Sequence, residues 1–400
     1  MLDATLRDHA KRLLTASGRS DVPPFMVMDV MAAAARIEGA GGHVIHMEVG
    51  QPATAAPKAA IAAAHAALDG GRIDYTAALG IPSLRERIAR HYLETYRCAV
   101  DAERIVVTTG SSGAFILAFL AMFEPGDRVA VTVPGYPPYR HILTALGCEP
   151  VLIETSAETR HALTGEALLA AHHRTPLKGV LVGSPANPTG TMMSRVALAE
   201  LISAAEAAGI RFISDEIYHG LDYAFPAVSA TELSPHALVI NSFSKYFCMT
   251  GWRVGWMVVP EALVRPIERL QQNLAISVPT LSQIAAEAAF EDRQEMEQVK
   301  RGYQENRRIL IEGLPRAGLG KFLPADGAFY LYADVSDFTS DSLEFAKRML
   351  EQAHVAATPG VDFDPVHGRA FIRFSYARSA EDMREAVARI ARWLGQPSRA

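Results

Sequence analysis

Asn241-Ser-Phe-Ser-Lys-Tyr-Phe-Cys-Met-Thr-Gly-Trp-Arg-Val-Gly-Trp256 carries the most information in this chain. It follows the apolar run Ala237-Leu-Val-Ile and leads into Val254-Gly-Trp-Met-Val-Val. Runs that are apolar without alternation fit strands covered on both faces of a mostly parallel sheet. Lys245 therefore stands just beyond the end of a buried strand. Desolvation there lowers an amine's pKa and frees it as a nucleophile. Ser242 and Ser244 precede it and Arg253 follows eight residues on. Hydroxyls and a guanidinium around one lysine suit an oxyanion such as phosphate. A solvated surface lysine is the ordinary alternative, and the serines and the strand end argue against it.

Similar runs lie upstream. Arg104-Ile-Val-Val-Thr-Thr ends before Gly110, Arg128-Val-Ala-Val-Thr-Val stops at Pro134, Gly179-Val-Leu-Val-Gly at Ser184-Pro185, and Arg211-Phe-Ile-Ser at Asp215. Helical stretches alternate with them, such as Gly113–Phe123 and Arg195–Ala208. The Ala-rich pieces Met31–Arg36 and Ala59–Leu68 also read as helices, alanine being the strongest helix former. This order predicts an α/β fold, a mostly parallel central sheet with helices on both faces. Past about residue 280 the texture changes. Glu291–Arg308 is highly charged, with Met296, Val299, Tyr303 and Leu310 at helical spacing. That predicts a long, half-exposed connecting helix. Strand candidates Phe329-Tyr-Leu-Tyr and Phe371-Ile-Arg-Phe and an amphipathic helix, Ala380–Leu394, follow. We expect a large α/β domain over 48–290 and a smaller α+β domain built from 1–47 and 291–400.

Composition narrows the function. Of 400 residues, 49% are apolar and 21% charged, which excludes a disordered or collagen-like chain and a small disulfide scaffold. A net charge of −5 argues against nucleic acid or an anionic membrane as the main partner. Cys98, Cys148 and Cys248 are odd in number and far apart, with no Cys-x-x-Cys or Cys/His cluster. Neither a disulfide framework nor a metal site is expected, and a reducing, cytoplasmic setting fits best. The longest apolar run, Gly113–Phe123, falls far short of the roughly 20 residues that span a bilayer.

Ligands of open α/β sheets bind beyond the carboxyl ends of the strands, so the residues there matter. Asp215 ends one strand and needs a partner for its charge, with Tyr218 one helical turn later. Alone, the aspartate could equally be an N-cap or half of a structural ion pair. Asn187 stands between two prolines in Ser184-Pro-Ala-Asn-Pro-Thr-Gly and offers both a donor and an acceptor. A turn without a ligand is the alternative. Gly110-Ser111-Ser112-Gly113 opens a helix, as an anion cradle or with an ordinary serine N-cap. It matches neither the dinucleotide nor the Walker glycine pattern. Arg373, flanked by apolar residues, could sit in an alternating strand and point to solvent.

Together the ordered series resembles the fold-type-I pyridoxal-phosphate enzymes, most of all the class I/II aminotransferases related to aspartate aminotransferase. The series is Tyr75, Gly110-Ser-Ser-Gly, Pro134-Gly-Tyr136, Asn187-Pro-Thr-Gly, Asp215-x-x-Tyr218, Ser242-x-Ser-Lys245, Arg253 and Arg373. Each motif is weak; eight in order, from about Gly50 to Ser375, are specific. The resemblance implies that Lys245 bonds the cofactor, pyridoxal 5'-phosphate, and then shuttles the proton. Asp215 is implied to pair with the ring nitrogen and keep the ring electron-poor. Tyr218 and Asn187 would contact the ring's phenolic oxygen and Tyr136 would stack on the ring. Gly110, Ser111, Ser112, Ser242, Ser244 and Arg253 would hold the phosphate. Tyr75 is implied to reach the phosphate of a second subunit, which requires a homodimer. Arg373, with Gly50 and Asn187, would hold the substrate's α-carboxylate. Cis peptide bonds before Pro134 and Pro188 are also implied.

The implied reaction moves an amino group from an L-amino acid to a 2-oxo acid such as 2-oxoglutarate, ping-pong through the pyridoxamine form. Aspartate-specific relatives that resemble this chain carry a lysine just after the Gly110-like glycine. Ser111 here favours a neutral or aromatic donor. Val22-Pro-Pro-Phe-Met-Val-Met could cover the site with apolar surface, or simply pack on the smaller domain. Two alternatives remain open: a carbon–sulfur β-lyase using the same residues, and a non-catalytic cofactor-binding sensor. The short segment before Gly50 carries no basic helix-turn-helix pattern.

Overall fold

A computed structural model describes residues 14–395. Its strands, in chain order, are β1 (Ile45–His46), β2 (Ile105–Thr108), β3 (Arg128–Val133), β4 (Glu149–Glu154), β5 (Gly179–Gly183) and β6 (Arg211–Asp215). They continue with β7 (Leu238–Ser242), β8 (Gly255–Val258), β9 (Tyr330–Asp334), β10 (Val355–Ala356), β11 (Thr358–Pro359) and β12 (Phe371–Ser375). Seven form one sheet in the order β2-β8-β7-β6-β5-β3-β4. All run in one direction except β8, which is antiparallel to both neighbours, β2 and β7. A parallel pairing needs a crossover of a dozen or more residues, usually a helix. The link from β7 to β8 holds no α-helix to cross the face of the sheet, and the chain folds straight back. That return is the stretch 243–254, which places Lys245 and Arg253 at the same end of the sheet.

The unalternating strand sequences are explained by burial on both faces. Val180, Val182, Val239 and Val258 join the core on one face; Leu181, Ile240 and Met257 join the core on the other. β4 escaped the sequence reading because it is an edge strand, and its residues are mostly part-exposed. The helices begin or end within a few residues of expectation, at Gly110–Met122, Arg195–Ala207, Arg293–Arg316 and Ala380–Trp393. The piece expected over Met31–Arg36 extends to Met26–Gly39.

A separate apolar core joins Ile45 and Met47 to Tyr303, Leu310, Phe329, Leu331, Ile372, Phe374, Met383 and Ile390. Around it β1 pairs with β10, and β11-β12-β9 form a three-stranded sheet. Arg373 lies on β12, the central strand of that sheet, and is 1% exposed. The solvent-facing alternative for this arginine is thereby excluded. The peptide bonds before Pro134 and Pro188 are cis, as is a third before Pro185.

Candidate active site

The carboxyl ends of five strands converge on a cavity of about 590 Å³. Ser111 and Ser112 come from beyond β2, Tyr136 from beyond β3, Asn187 from beyond β5, Asp215 from the end of β6 and Lys245 from beyond β7. Gly50, Tyr218, Ser244, Arg253 and Arg373 complete the expected residues that line it. Gly110 and Ser242 do not line it, and Tyr75 lies outside it, 79% exposed. A second cavity of about 500 Å³ lies against the helices Pro82–Tyr96 and Arg293–Arg316. Of the expected site residues it holds Ser242 alone, and none of Lys245, Asp215, Arg253 or Arg373, so chemistry selects the first.

Asp215 is 3% exposed and takes hydrogen bonds from the Tyr139 hydroxyl and, at 3.0 Å, from the Ile217 amide. Burial pushes its carboxyl up to about 6, against the pull of those two donors and the Lys245 charge. The Lys245 Nζ donates to the Gly50 carbonyl at 2.6 Å. Burial, then the Arg373 and Arg253 charges, bring this amine down to about 8, while Asp215 opposes them. An amine so placed is far more often neutral at physiological pH than an exposed lysine. The Tyr218 hydroxyl pairs with that of Tyr330 at 2.7 Å.

An anion cradle sits at the other end of the cavity. The helix Gly110–Met122 begins at Thr109 with no capping side-chain hydrogen bond. Its first amides therefore keep their positive ends free. Gly110 has φ +66°, and a Cβ there would come within 2.7 Å of the Arg253 guanidinium. Glycine is what lets that cation settle over the helix start. Ser242 bonds Ser244, Oγ to Oγ at 2.8 Å, and so steers a hydroxyl that does line the cavity.

Arg373 is a buried cation with an unfilled valence. Its Nη1 donates to Asn187 Oδ1 at 2.9 Å, and its Nη2 to Thr358 Oγ1 at 3.1 Å and to the Glu48 carbonyl. The guanidinium lies between the rings of Tyr330 and Phe363, 4.5 and 4.6 Å from their centroids. None of these partners is anionic, and its Nε is buried without an acceptor. A buried charge so held asks for a carboxylate. The sequence reading missed Tyr139, Tyr330, Thr358 and Phe363. Only Tyr139 had a signal to offer, three residues after Tyr136 on the helix Pro137–Ala145.

A family model for aminotransferase class I and II matches residues 42–390. The chain belongs to this family. It is 49% identical over 380 residues to a valine–pyruvate aminotransferase of Mycobacterium tuberculosis, covering 94% of this chain and 97% of the relative. An aminotransferase crystal structure from that organism superposes with a TM-score of 0.93 at 48% identity, over 96% of this chain and all of the other. The aspartate aminotransferase of Thermus thermophilus with maleate superposes with a TM-score of 0.89 at 32% identity, over 94% and 99% of the two chains. The enzyme is thus a pyridoxal-phosphate-dependent transaminase with the α/β fold of its relatives. The cavity suits that cofactor: an uncapped helix start with Arg253 for a phosphate, a buried carboxylate for a ring nitrogen, and an activated amine between them. Among the described residues no helix is long and apolar enough to cross a membrane.

Proposed function

We propose that this enzyme transfers the amino group of a neutral L-amino acid to a small 2-oxo acid. One observation carries the reading: the cavity's three cations all have assignments. Lys245 is the activated amine, Arg253 lies at the anion cradle, and Arg373 awaits a carboxylate. Among the described residues no further lysine or arginine lines the cavity to meet a side-chain carboxylate, and Phe25, Val27, Met28 and Ile217 offer apolar surface instead. Valine and pyruvate, named for the 49% identical relative, both fit that charge count. 2-Oxoglutarate, the acceptor expected from the sequence, brings a second carboxylate and is the poorer fit.

When bound, pyridoxal phosphate supplies an aldehyde for the donor's amine and a ring that draws electrons from Cα. The chain's own residues do the rest. Ser111, Ser112, Ser244, Arg253 and the helix start would hold the phosphate, with Gly110 making room for Arg253 and Ser242 bonded to Ser244. Asp215, as a carboxylate oriented by Tyr139, would keep a proton on the ring nitrogen. Tyr136 flanks the ring, and Tyr218 and Asn187 address its phenolic oxygen. Arg373, with Asn187 and the close backbone at Gly50, would fix the donor's α-carboxylate, so that Lys245 would take the proton from Cα and deliver it to the carbon that held the cofactor's aldehyde. The two half-reactions then alternate in a ping-pong cycle.

We further propose a homodimer in the cytoplasm. Ile73, Tyr75, Leu274 and Ile276 are exposed. Their two stretches are tied together by the Thr76 amide on Ser277 Oγ at 3.4 Å and Thr280 Oγ1 on the Asp74 carbonyl at 2.5 Å. That apolar surface supports a subunit contact in which Tyr75 reaches the partner's cradle. Cys98, Cys148 and Cys248 are all free, which suits a reducing compartment. The test is the absorbance of cofactor-loaded enzyme against single donors, then turnover with pyruvate or 2-oxoglutarate. Valine, alanine, methionine or phenylalanine should convert the cofactor to its amine form, with pyruvate the better acceptor. Preference for aspartate would overturn the donor assignment. Release of ammonia and pyruvate without an acceptor would point to lyase chemistry instead.

A further inference from the structure

The N-terminal segment both packs on the small core and reaches the site. The helix Met26–Gly39 lays Ala34, with Val30, Ala33 and Ile37, against Val44, Leu350 and Ala356. Its first turn meets the active-site cavity through Phe25, Val27 and Met28. The Phe25 ring stands edge-on to Tyr136, centroids 6.0 Å apart. What holds this first turn is not local. Phe25, at the N-cap position, makes no side-chain capping bond. A helix start leaves its first amides unsatisfied and favours a negative charge nearby.

That charge comes from 336 residues away. The Met26 amide donates to Asp362 Oδ1 at 3.4 Å, and the Val27 amide adds to the pull that opposes the effect of burial on this carboxyl. Asp362 is 2% exposed, and its Oδ2 has no partner. Its backbone is fixed independently, since Arg140 Nη2 donates to its carbonyl at 2.6 Å. The next residue, Phe363, carries the Arg373 guanidinium on its ring. Two consecutive residues thus hold the helix start and the carboxylate clamp in one frame.

We propose that Asp362 is a positioning residue for donor selectivity. It caps the helix Met26–Gly39 from the far end of the chain and so holds the apolar wall of Phe25 and Val27 at a set distance from Arg373. Asp362 touches no substrate in this role. A large neutral side chain leans on the wall, whereas alanine does not reach it. The inference deepens the neutral-donor reading and rests on it for its kinetic arm.

The test compares Asp362→Ala and Asp362→Asn with wild type, using valine, phenylalanine and alanine as donors. Asp362→Ala is expected to lower kcat/KM for valine and phenylalanine roughly tenfold more than for alanine, while the loss of a carboxylate that acts on Arg373 affects every donor alike. Asparagine keeps an oxygen that can accept from the Met26 amide, so Asp362→Asn should stay within about threefold of wild type in that selectivity. Phe25→Ala should reproduce the Asp362→Ala selectivity, and the double variant should add little to either. Hydrogen exchange over residues 22–30 of the dimer, read by mass spectrometry, is independent of any donor. Asp362→Ala should speed it by tenfold or more. Unchanged exchange, or an equal loss for every donor, overturns the proposal. Accelerated exchange in an enzyme that prefers aspartate would retain the anchor and refute the donor reading.

Discussion

Gly50→Ala probes the tightest contact in the site. A Cβ at Gly50 would fall 1.8 Å from the Tyr330 hydroxyl oxygen and 2.8 Å from the ring carbon bearing it. Tyr330 has nowhere to go. It is 1% exposed, its hydroxyl pairs with Tyr218 at 2.7 Å, and the Arg373 guanidinium rests 4.5 Å from its ring centroid. The backbone of Gly50 is equally committed, since its carbonyl accepts from Lys245 Nζ at 2.6 Å. Relieving the clash requires a shift of about 1 Å on one side or the other. Overpacking of this kind costs about 1–3 kcal/mol. A comparable misplacement at a reacting centre costs about 100-fold in rate. Single-turnover conversion of the cofactor by a neutral donor should therefore slow by roughly 10- to 100-fold, with a lowered Tm. Tyr330→Phe deletes the nearest atom and leaves the ring carbon. Gly50→Ala/Tyr330→Phe should recover part of the loss, with a favourable coupling of about 0.5–3 kcal/mol. A Gly50→Ala enzyme within twofold of wild type, or a double variant worse than the two losses added, would refute the reasoning.

Lys245→Ala should remove the absorbance of the bound cofactor's imine and essentially all turnover; retained wild-type activity would overturn the central assignment. In Tyr139→Phe, Asp215 loses a donor that pulls its carboxyl down. A hydrogen bond to a charged group is worth about 1.5–3 kcal/mol, or about 1–2 pKa units. The carboxyl, already near 6, should titrate higher, and the acid limb of kcat/KM against pH should move up by that amount. Arg373→Lys keeps the charge but loses the fork and the stacking between two rings. kcat/KM should fall at least about thirtyfold, the lower end of the 2–5 kcal/mol expected for a broken buried pair, and a loss confined to Tm would count against the carboxylate role. At Gly110→Ala the new methyl meets the Arg253 guanidinium at 2.7 Å on a backbone of φ +66°, so cofactor retention on dilution should weaken about tenfold or more and the unfolding transition of cofactor-free protein should fall as well. Equal retention would show that the cradle does not need that approach.

The fold was legible where one physical demand dominates the chain. Strands buried on both faces cannot alternate, and β3, β5, β6 and β7 stand out for that reason. β4 lies at the sheet's edge with part-exposed residues, so its composition carries a weaker signal. The reversal of β8 follows a link after β7 that holds no α-helix, though the sequence says only that two apolar runs flank Lys245. The N-terminal segment was the open case, and the two readings proved compatible: one helix packs on the small core while its first turn lines the cavity.

The site divides along a similar line. Lys245, Asp215, Asn187 and Arg253 follow strand ends or turns whose local sequence betrays them. Tyr139, Thr358, Phe363 and Asp362 act through contacts spanning 76, 15, 10 and 336 residues respectively, to Asp215, Arg373, Arg373 and Met26. Nothing in their neighbours announces a tyrosine that steadies an aspartate or an aspartate that caps a distant helix. The same separation explains how this scaffold varies its substrates. Residues proposed to hold the phosphate and move the proton are tied to the ends of buried strands, where a shift disturbs the sheet. The wall facing the donor's side chain rests on a helix start and one distant carboxylate. It can be remodelled without disturbing Lys245 or Asp215. Donor preference should therefore change through 25–28 and 362 at little cost in stability, whereas changes at the strand ends should cost activity toward every donor alike.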